Sequence, residues 1–266
     1  MPVTLSGLVI ARNEALQLPG CLTSMAGLPI TVIDQGSTDE TAALARAAGA
    51  QVVTASGSLS TLRALGTRLA QSVWILSLDA DERLPTGGLE RIRAAIAACP
   101  PQVAAFRLDL LTFMGERPLR WGGYRPRRVR LYRRAAVHWP EATVHERPEV
   151  SGRVAHLAVT INHHCYDDFD HAVAKTRRYA AWAALDLQAR GRSHPGLATW
   201  LRAGWRWLRT GLLQGGLWMG PLGWRLTTLQ ARGVLWRGRW SRGGVPAAAA
   251  CPPGPRVAPT QRHLRD

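Results

Sequence analysis

The sequence predicts an α/β protein: a mostly parallel sheet with helices on both faces, followed by a basic, amphipathic helical extension. Three observations predict it. Short apolar stretches rich in β-branched residues alternate with segments whose apolar residues recur at helical spacing. Two of these stretches stop on a carboxylate, Asp34 and Asp79. From Leu197 onward the composition turns to Trp, Arg, Leu and Gly.

Val3 to Ile10 and Ile30 to Ile33 read as buried parallel strands because they are continuously apolar rather than alternating. Between them, Ala15, Leu18, Leu22 and Met25 share one face of a helix over Asn13 to Met25, and Thr38 to Ala48 repeats that pattern after a Ser-Thr-Asp-Glu start. Gln51 to Val53 is the third strand, Leu59 to Ala70 a helix, and Val73 to Leu78 the fourth strand. Gly88 to Ala98 predicts a helix, and Val103 to Leu111 and Val129 to Tyr132 predict strands on either side of an irregular, Arg-rich loop from Gly115 to Arg128. His171 to Gln188 predicts a further helix. We expect three segments: a catalytic domain over 1–170, a basic helical region over 171–242 and a disordered tail over 243–266.

A chain of 266 residues with 46% hydrophobic content can bury a core without staples. Cys21, Cys99, Cys165 and Cys251 are far apart and show no C-x-x-C spacing, so reduced thiols are expected. Residues 1–10 lack the pattern of a signal peptide and no run of 18 apolar residues occurs, which predicts a cytoplasmic protein. Charge divides the chain: residues 1–170 carry 18 Arg against 16 Asp plus Glu, whereas residues 171–266 carry 16 Lys plus Arg against Asp186 and Asp266. An anionic partner is expected for the second part.

Open α/β sheets bind ligands outside the carboxyl ends of their strands, so Asp34, Asp79 and Asp81 are expected to converge. Two carboxylates one residue apart, as in Asp79-Ala80-Asp81, can hold a divalent ion that bridges two phosphates. An isolated Asp-x-Asp also occurs on ordinary solvated turns, so its context carries the reading.

That context is Ile10-Ala11-Arg12-Asn13-Glu14 after the first strand, Ile33-Asp34-Gln35-Gly36-Ser37-Thr38-Asp39 after the second and Leu76-Ser77-Leu78-Asp79-Ala80-Asp81-Glu82-Arg83 after the fourth. In order and spacing these resemble family 2 glycosyltransferases. Val144-His145-Glu146-Arg147 and His163-His164-Cys165-Tyr166 look like landmarks of the lipopolysaccharide core type. The resemblance implies a GT-A fold, a Rossmann-like sheet flanked by helices, and an inverting transfer from a nucleotide sugar, with a UDP-sugar the expected donor. It implies nucleotide contacts from Ala11, Arg12, Glu14, Asp34, Arg63 and Asp79, and Mg²⁺ or Mn²⁺ held by Asp79, Asp81 and His163. Glu146 is the candidate base, with His145 orienting it or serving in its place. Arg125, Arg127 and Arg128 join Arg63 as candidates for phosphate oxygens. His163-His164-Cys165 is not expected to form a zinc site, since adjacent strand residues point to opposite faces. The sequence departs from the family at Thr61-Leu62-Arg63-Ala64-Leu65 and at Gln35, which bears on sugar specificity.

Seven of the eleven tryptophans lie between Trp200 and Trp240, interleaved with arginines. Indole favours the headgroup interface and Arg favours anionic lipid, so peripheral attachment to the inner face of the plasma membrane is expected, with a lipid-linked glycan acceptor. Helices packed on the catalytic domain are the plainer alternative. No nucleic-acid module appears, and nucleic acid is not an expected partner. Transfer to a polyprenyl phosphate, and a non-catalytic scaffold, remain as alternative functions.

Overall fold

The computed structural model describes residues 4–140 and 148–250. Contacts divide these into two compact units: residues 4–111 with 126–164, and residues 112–125 with 165–250. The second unit therefore takes in the Thr112–Arg125 excursion as well as the basic region expected from 171 onward.

In the first unit, β1 (Leu5–Ala11), β2 (Ile30–Asp34), β3 (Gln51–Thr54) and β4 (Trp74–Asp79) are parallel and lie side by side in the order β3-β2-β1-β4. Every residue of β1 is buried, as a strand covered on both faces requires. The connecting helices are α1 (Leu18–Ser24), α2 (Thr41–Ala47) and α3 (Leu59–Leu69). α1 and α2 begin later than their apolar spacing suggests: the side chains of Ser37, Asp39 and Thr41 accept from the backbone N–H groups of residues 13–15 and tie the two loops to each other. Ser58 caps α3 by accepting from Thr61 N at 3.1 Å.

Beyond β4 the sheet continues through β8 (Arg127–Arg133), β6 (Val103–Met114), β11 (Arg153–Tyr166) and the short β5 (Glu82–Arg83). β8 runs antiparallel to β4, with Leu131 opposite Leu76 and Arg133 opposite Trp74. β8 begins at Arg127, inside the stretch the sequence leaves as a loop. α4 (Gly88–Ala97) lies between β5 and β6, and Leu89, Ile92 and Ile96 on it are buried. One core holds Val9, Leu18, Leu76 and Leu78 with Ile92, Ile96, Val159 and Ile161; the other holds Leu8, Ile33, Leu62, Ile75 and Tyr132. These are the two faces of one sheet, reached by alternate residues of the same strands. A two-stranded ribbon, β9 (Val137–His138) with β10 (Glu149–Val150), completes the described strands of this unit.

In the second unit, β7 (Arg117–Pro118) pairs with Phe113 and Met114 at the end of β6. Three long helical stretches follow: α5 (Phe169–Ala189), α6 (Gly196–Leu208), which runs on as a π-helical turn over Arg209–Leu213, and α7 (Pro221–Gly243). Asp168 caps α5 by accepting from His171 N at 2.7 Å. α7 packs closely on α6 at Gly238, where an added Cβ would stand 2.3 Å from Thr199 Cγ2. Leu119, Ala172, Met219, Leu226 and Leu229 form its core. The tail expected from residue 243 is helical again over Ala247–Ala250, and residues 251–266 lie outside the described residues. No helix among the described residues is long and apolar enough to cross a membrane.

Candidate active site

Parallel strands in adjacent register place their carboxyl ends on one edge, and the predicted residues gather there. Ala11 stands opposite Asp34 across β1 and β2, and Ile10 stands opposite Asp79 across β1 and β4. Two loops are stitched together above that edge. Asn13 Oδ1 accepts from Thr38 N at 2.8 Å, Asn13 N donates to Ser37 Oγ at 3.0 Å, and Glu14 N donates to Thr41 Oγ1 at 2.8 Å. Asn13 adopts a positive φ of 53°, a left-handed conformation that Asn tolerates better than most residues. Asp39 accepts from Thr41 and from Ala15 N; burial pushes its carboxyl up, and these hydrogen bonds bring it below the usual range.

Asp34 is 3% exposed, and its carboxylate accepts from Ser37 Oγ at 2.5 Å and Ser37 N at 3.2 Å. The residue expected at the nucleobase thus also closes the turn after β2. Arg12 is exposed and Glu14 partly buried.

Asp79 ends β4 between two guanidinium groups. Arg63 Nη2, from α3, lies 2.5 Å from Oδ1, and Arg130 Nη2, from β8, lies 2.5 Å from Oδ2. Arg63 also donates to Ser77 Oγ at 2.8 Å and is 5% exposed. This buried geometry makes it a clamp on Asp79. Arg125, Arg127 and Arg128, the other arginines considered for phosphate, are exposed, and Arg127 pairs with Asp109 at 2.9 Å.

Arg130 is the residue the sequence did not single out. It bonds Asp79 and also Glu82, whose side chain has no exposure, and Glu82 Oε2 accepts from Asp79 N at 3.1 Å. Burial alone would raise Asp79, but Arg130 and Arg63 hold it well below the usual carboxylate range. Glu82 moves the other way: burial raises it, Arg130 opposes that, and Asp79 and Asp81 add to the rise. Burial would lower Arg130, yet Asp79 and Glu82 drive it above its ordinary value, so it stays charged. The apolar neighbours could have marked Arg130: it stands between half-buried Val129 and buried Leu131, in a strand where a buried Arg needs a partner.

Asp81, one turn past β4, is 7% exposed. Its carboxylate Oδ1 is 3.5 Å from His163 Nε2, and its main-chain oxygen accepts from His164 N at 2.8 Å. β11 delivers His163 by pairing antiparallel with β5, His163 opposite Glu82. Leu157, Val159, Ile161 and His163 alternate on one side of the strand, which separates His163 from its neighbour His164. Cys21 lies beneath, buried, donating to Asp79 O at 3.5 Å. Burial, with Glu82, Asp81 and Asp79, raises its thiol well above the ordinary value, so it is neutral there.

Among the described residues no group of three His, Cys, Asp or Glu side chains converges as a ready-made metal cage. His145 and Glu146 lie outside the described residues. Within them, then, the structure brings together Ala11, Asp34, Asp79, Asp81, Arg63 and His163 at one sheet edge.

A family model described as glycosyl transferase family 2 matches residues 6–146. An uncharacterized glycosyltransferase of Rickettsia felis is 24% identical over 204 residues, covering 71% of this chain and 71% of that protein. A TPR repeat-containing protein of Synechococcus elongatus is 35% identical over 102 residues, but the match spans 37% of this chain and only 25% of that protein. Glucosyl-3-phosphoglycerate synthase of Mycobacterium tuberculosis, solved with Mn²⁺, UDP and glucosyl-3-phosphoglycerate, shares 14% identity over 73% of this chain and 82% of its own, with a TM-score of 0.46. The matched residues run from β1 through the Asp79-Ala80-Asp81 edge, and on that family match the chain belongs to glycosyl transferase family 2, a glycosyltransferase whose first unit is built on a mixed sheet with a parallel β3-β2-β1-β4 half.

Proposed function

We propose that the protein transfers a hexose or heptose, with inversion, from a nucleotide sugar to a lipid-linked acceptor in lipopolysaccharide core or related envelope glycan synthesis. The observation that carries the donor half is the pairing of Asp81 with His163 beside an Asp79 held by two arginines. One carboxylate and one imidazole are a fitting protein share for a hard divalent ion that takes its remaining ligands from a substrate diphosphate and water. Asp81 and His163 would hold Mg²⁺ or Mn²⁺, and the bound ion would neutralise the charge of the leaving nucleotide.

This chain's own residues do the rest. The joined loops after β1 and β2 form the bed for base and ribose, with Ala11, Arg12, Glu14 and Asp34 the residues that would contact them. Arg63 and Arg130 keep Asp79 ionised and fixed in orientation, so it accepts a ribose or sugar hydroxyl without reorganising. Glu146, with His145, takes the proton of the acceptor hydroxyl as that oxygen attacks the anomeric carbon on the side opposite the nucleotide.

The test is a calorimetric titration of the purified protein with UDP, GDP and ADP, each with and without Mn²⁺. Metal-dependent binding of one of them, lost in Asp81→Ala while the melting temperature holds, is the expected result. Binding that ignores both the metal and Asp81→Ala overturns the assignment.

A further inference from the structure

The sequence treats the late tryptophans as equivalent, but the structure sorts them. Trp240 is 6% exposed and stacks on Trp236 at 6.1 Å, whereas Trp200 is 67% exposed. α6 explains the difference. At 3.6 residues per turn its buried Thr199 and Ala203 share the side that meets α7, and Leu197, Leu201 and Leu208 share another. Leu197 is 74% and Leu201 67% exposed, values far from those of a helix face packed in a core. The helix runs on into the π-helical turn, where, past Arg209, Thr210 and Gly211, Leu212 and Leu213 are also exposed.

Arg202, Arg206 and Arg209 line the flank between the exposed and the buried sides of the helix, all exposed. Arg202 Nη1 is 2.7 Å from His194 Nδ1, and Arg242 bonds His194 O, so a neutral imidazole sits among guanidinium groups. Arg237 is partly buried, with a Nε that has no hydrogen-bond partner among the described residues, and burial together with Arg206 and Arg202 lowers its pKa. Between 187 and 250 the chain carries ten arginines and neither Asp nor Glu. Residues 251–266 add three arginines against Asp266 alone, so that stretch does not supply the missing negative charge.

We propose that this face of α6 docks the protein on a bilayer containing anionic phospholipid, with Leu197, Trp200, Leu201 and Leu208 entering the headgroup interface and Arg202 and Arg206 meeting lipid phosphates. The combination selects the occupant. Leu197, Leu201 and Leu208 gain from acyl chains and offer nucleic-acid bases no stacking surface, which leaves Trp200 as the one stacking group among the four, and a second copy of the same face would set one arginine flank against another. The inference deepens the lipid-linked acceptor of the proposed function and rests on that reading for its purpose.

The experiment is co-sedimentation of the full chain with vesicles of phosphatidylcholine alone and of phosphatidylcholine with phosphatidylglycerol. Binding to the anionic vesicles, weakened about tenfold or more by Trp200→Ser/Leu201→Ser and, separately, by Arg202→Gln/Arg206→Gln, is the expected result. The arginine pair should also reduce the salt dependence, which the apolar pair should leave in place. UDP titration of the same variants separates the two readings, because intact nucleotide affinity shows that the fold and donor site survive whatever happens at the vesicle. Equal sedimentation of variants and parent overturns the proposal. So does binding of a single-stranded polynucleotide in preference to vesicles, or a dimer in solution that Trp200→Ser/Leu201→Ser dissociates.

Discussion

Replacing Arg130 by Met would remove the guanidinium paired with Glu82, a carboxylate with no exposed surface. Methionine has similar length and no charge, so the loss is electrostatic before it is steric. Glu82 then has two choices, to remain an unpaired buried anion or to take a proton. The second is cheaper and sets the ceiling: holding a carboxyl of ordinary value 4.5 in its neutral form costs about 4 kcal/mol at pH 7.5 and about 1.4 kcal/mol at pH 5.5. These are upper limits, because burial has already raised Glu82 in the parent protein. The sign follows from the direction of the shift. A carboxyl raised in the folded state weakens the fold as pH climbs above 4.5, so the variant should be much less stable than the parent at pH 7.5 and closer to it at pH 5.5. Urea unfolding at the two pH values measures the difference, and Glu82→Gln in the Arg130→Met background should remove most of its pH dependence. A loss under about 1 kcal/mol at pH 7.5, or one of equal size at both pH values, would show that Glu82 does not depend on Arg130.

Other outcomes follow from the same geometry. Asp79 is held below its ordinary value of 3.8, so its pairing contributes fully above that pH and is lost only in stronger acid; an Asp79→Asn variant should therefore flatten acid unfolding below pH 3.8, measured by circular dichroism. Asn13→Gly keeps the left-handed backbone but loses the bond to Thr38 N, about 1 kcal/mol, whereas Asn13→Ala adds backbone strain of roughly another 1 kcal/mol; denaturant midpoints that rank Ala above Gly would refute this. Gly223→Ala would place a Cβ 2.0 Å from Gly216 O, a backbone atom that cannot turn away, so the second unit should lose about 1–3 kcal/mol, and an unchanged melting temperature would contradict the close packing of α7.

Much of the first unit was legible because its signals are local. A buried parallel strand is a continuous apolar run and ends where a carboxylate begins, so β1, β2 and β4 and the edge they share follow from Ile10, Asp34 and Asp79 without coordinates. The order of motifs along the chain carried the family in the same way. The late starts of α1 and α2 were not legible, since they depend on side chains of one loop bonding the backbone of another 24 to 27 residues away.

Residue order and spacing determined that the chain has an α/β part with strand-end carboxylates, and local composition that a basic, tryptophan-rich part with an excess of positive charge follows it. Only the tertiary structure decided which charges meet and which indoles face outward. Arg130 is an ordinary arginine in the sequence and becomes the partner of Asp79 and Glu82 because β8 returns antiparallel beside β4. Trp200 and Trp240 sit in similar Arg-flanked settings, yet one is exposed and the other buried because α6 turns Thr199, not Trp200, toward Gly238. Spacing along a chain sets the face a residue shares with its near neighbours; which distant element covers that face depends on packing across the whole fold.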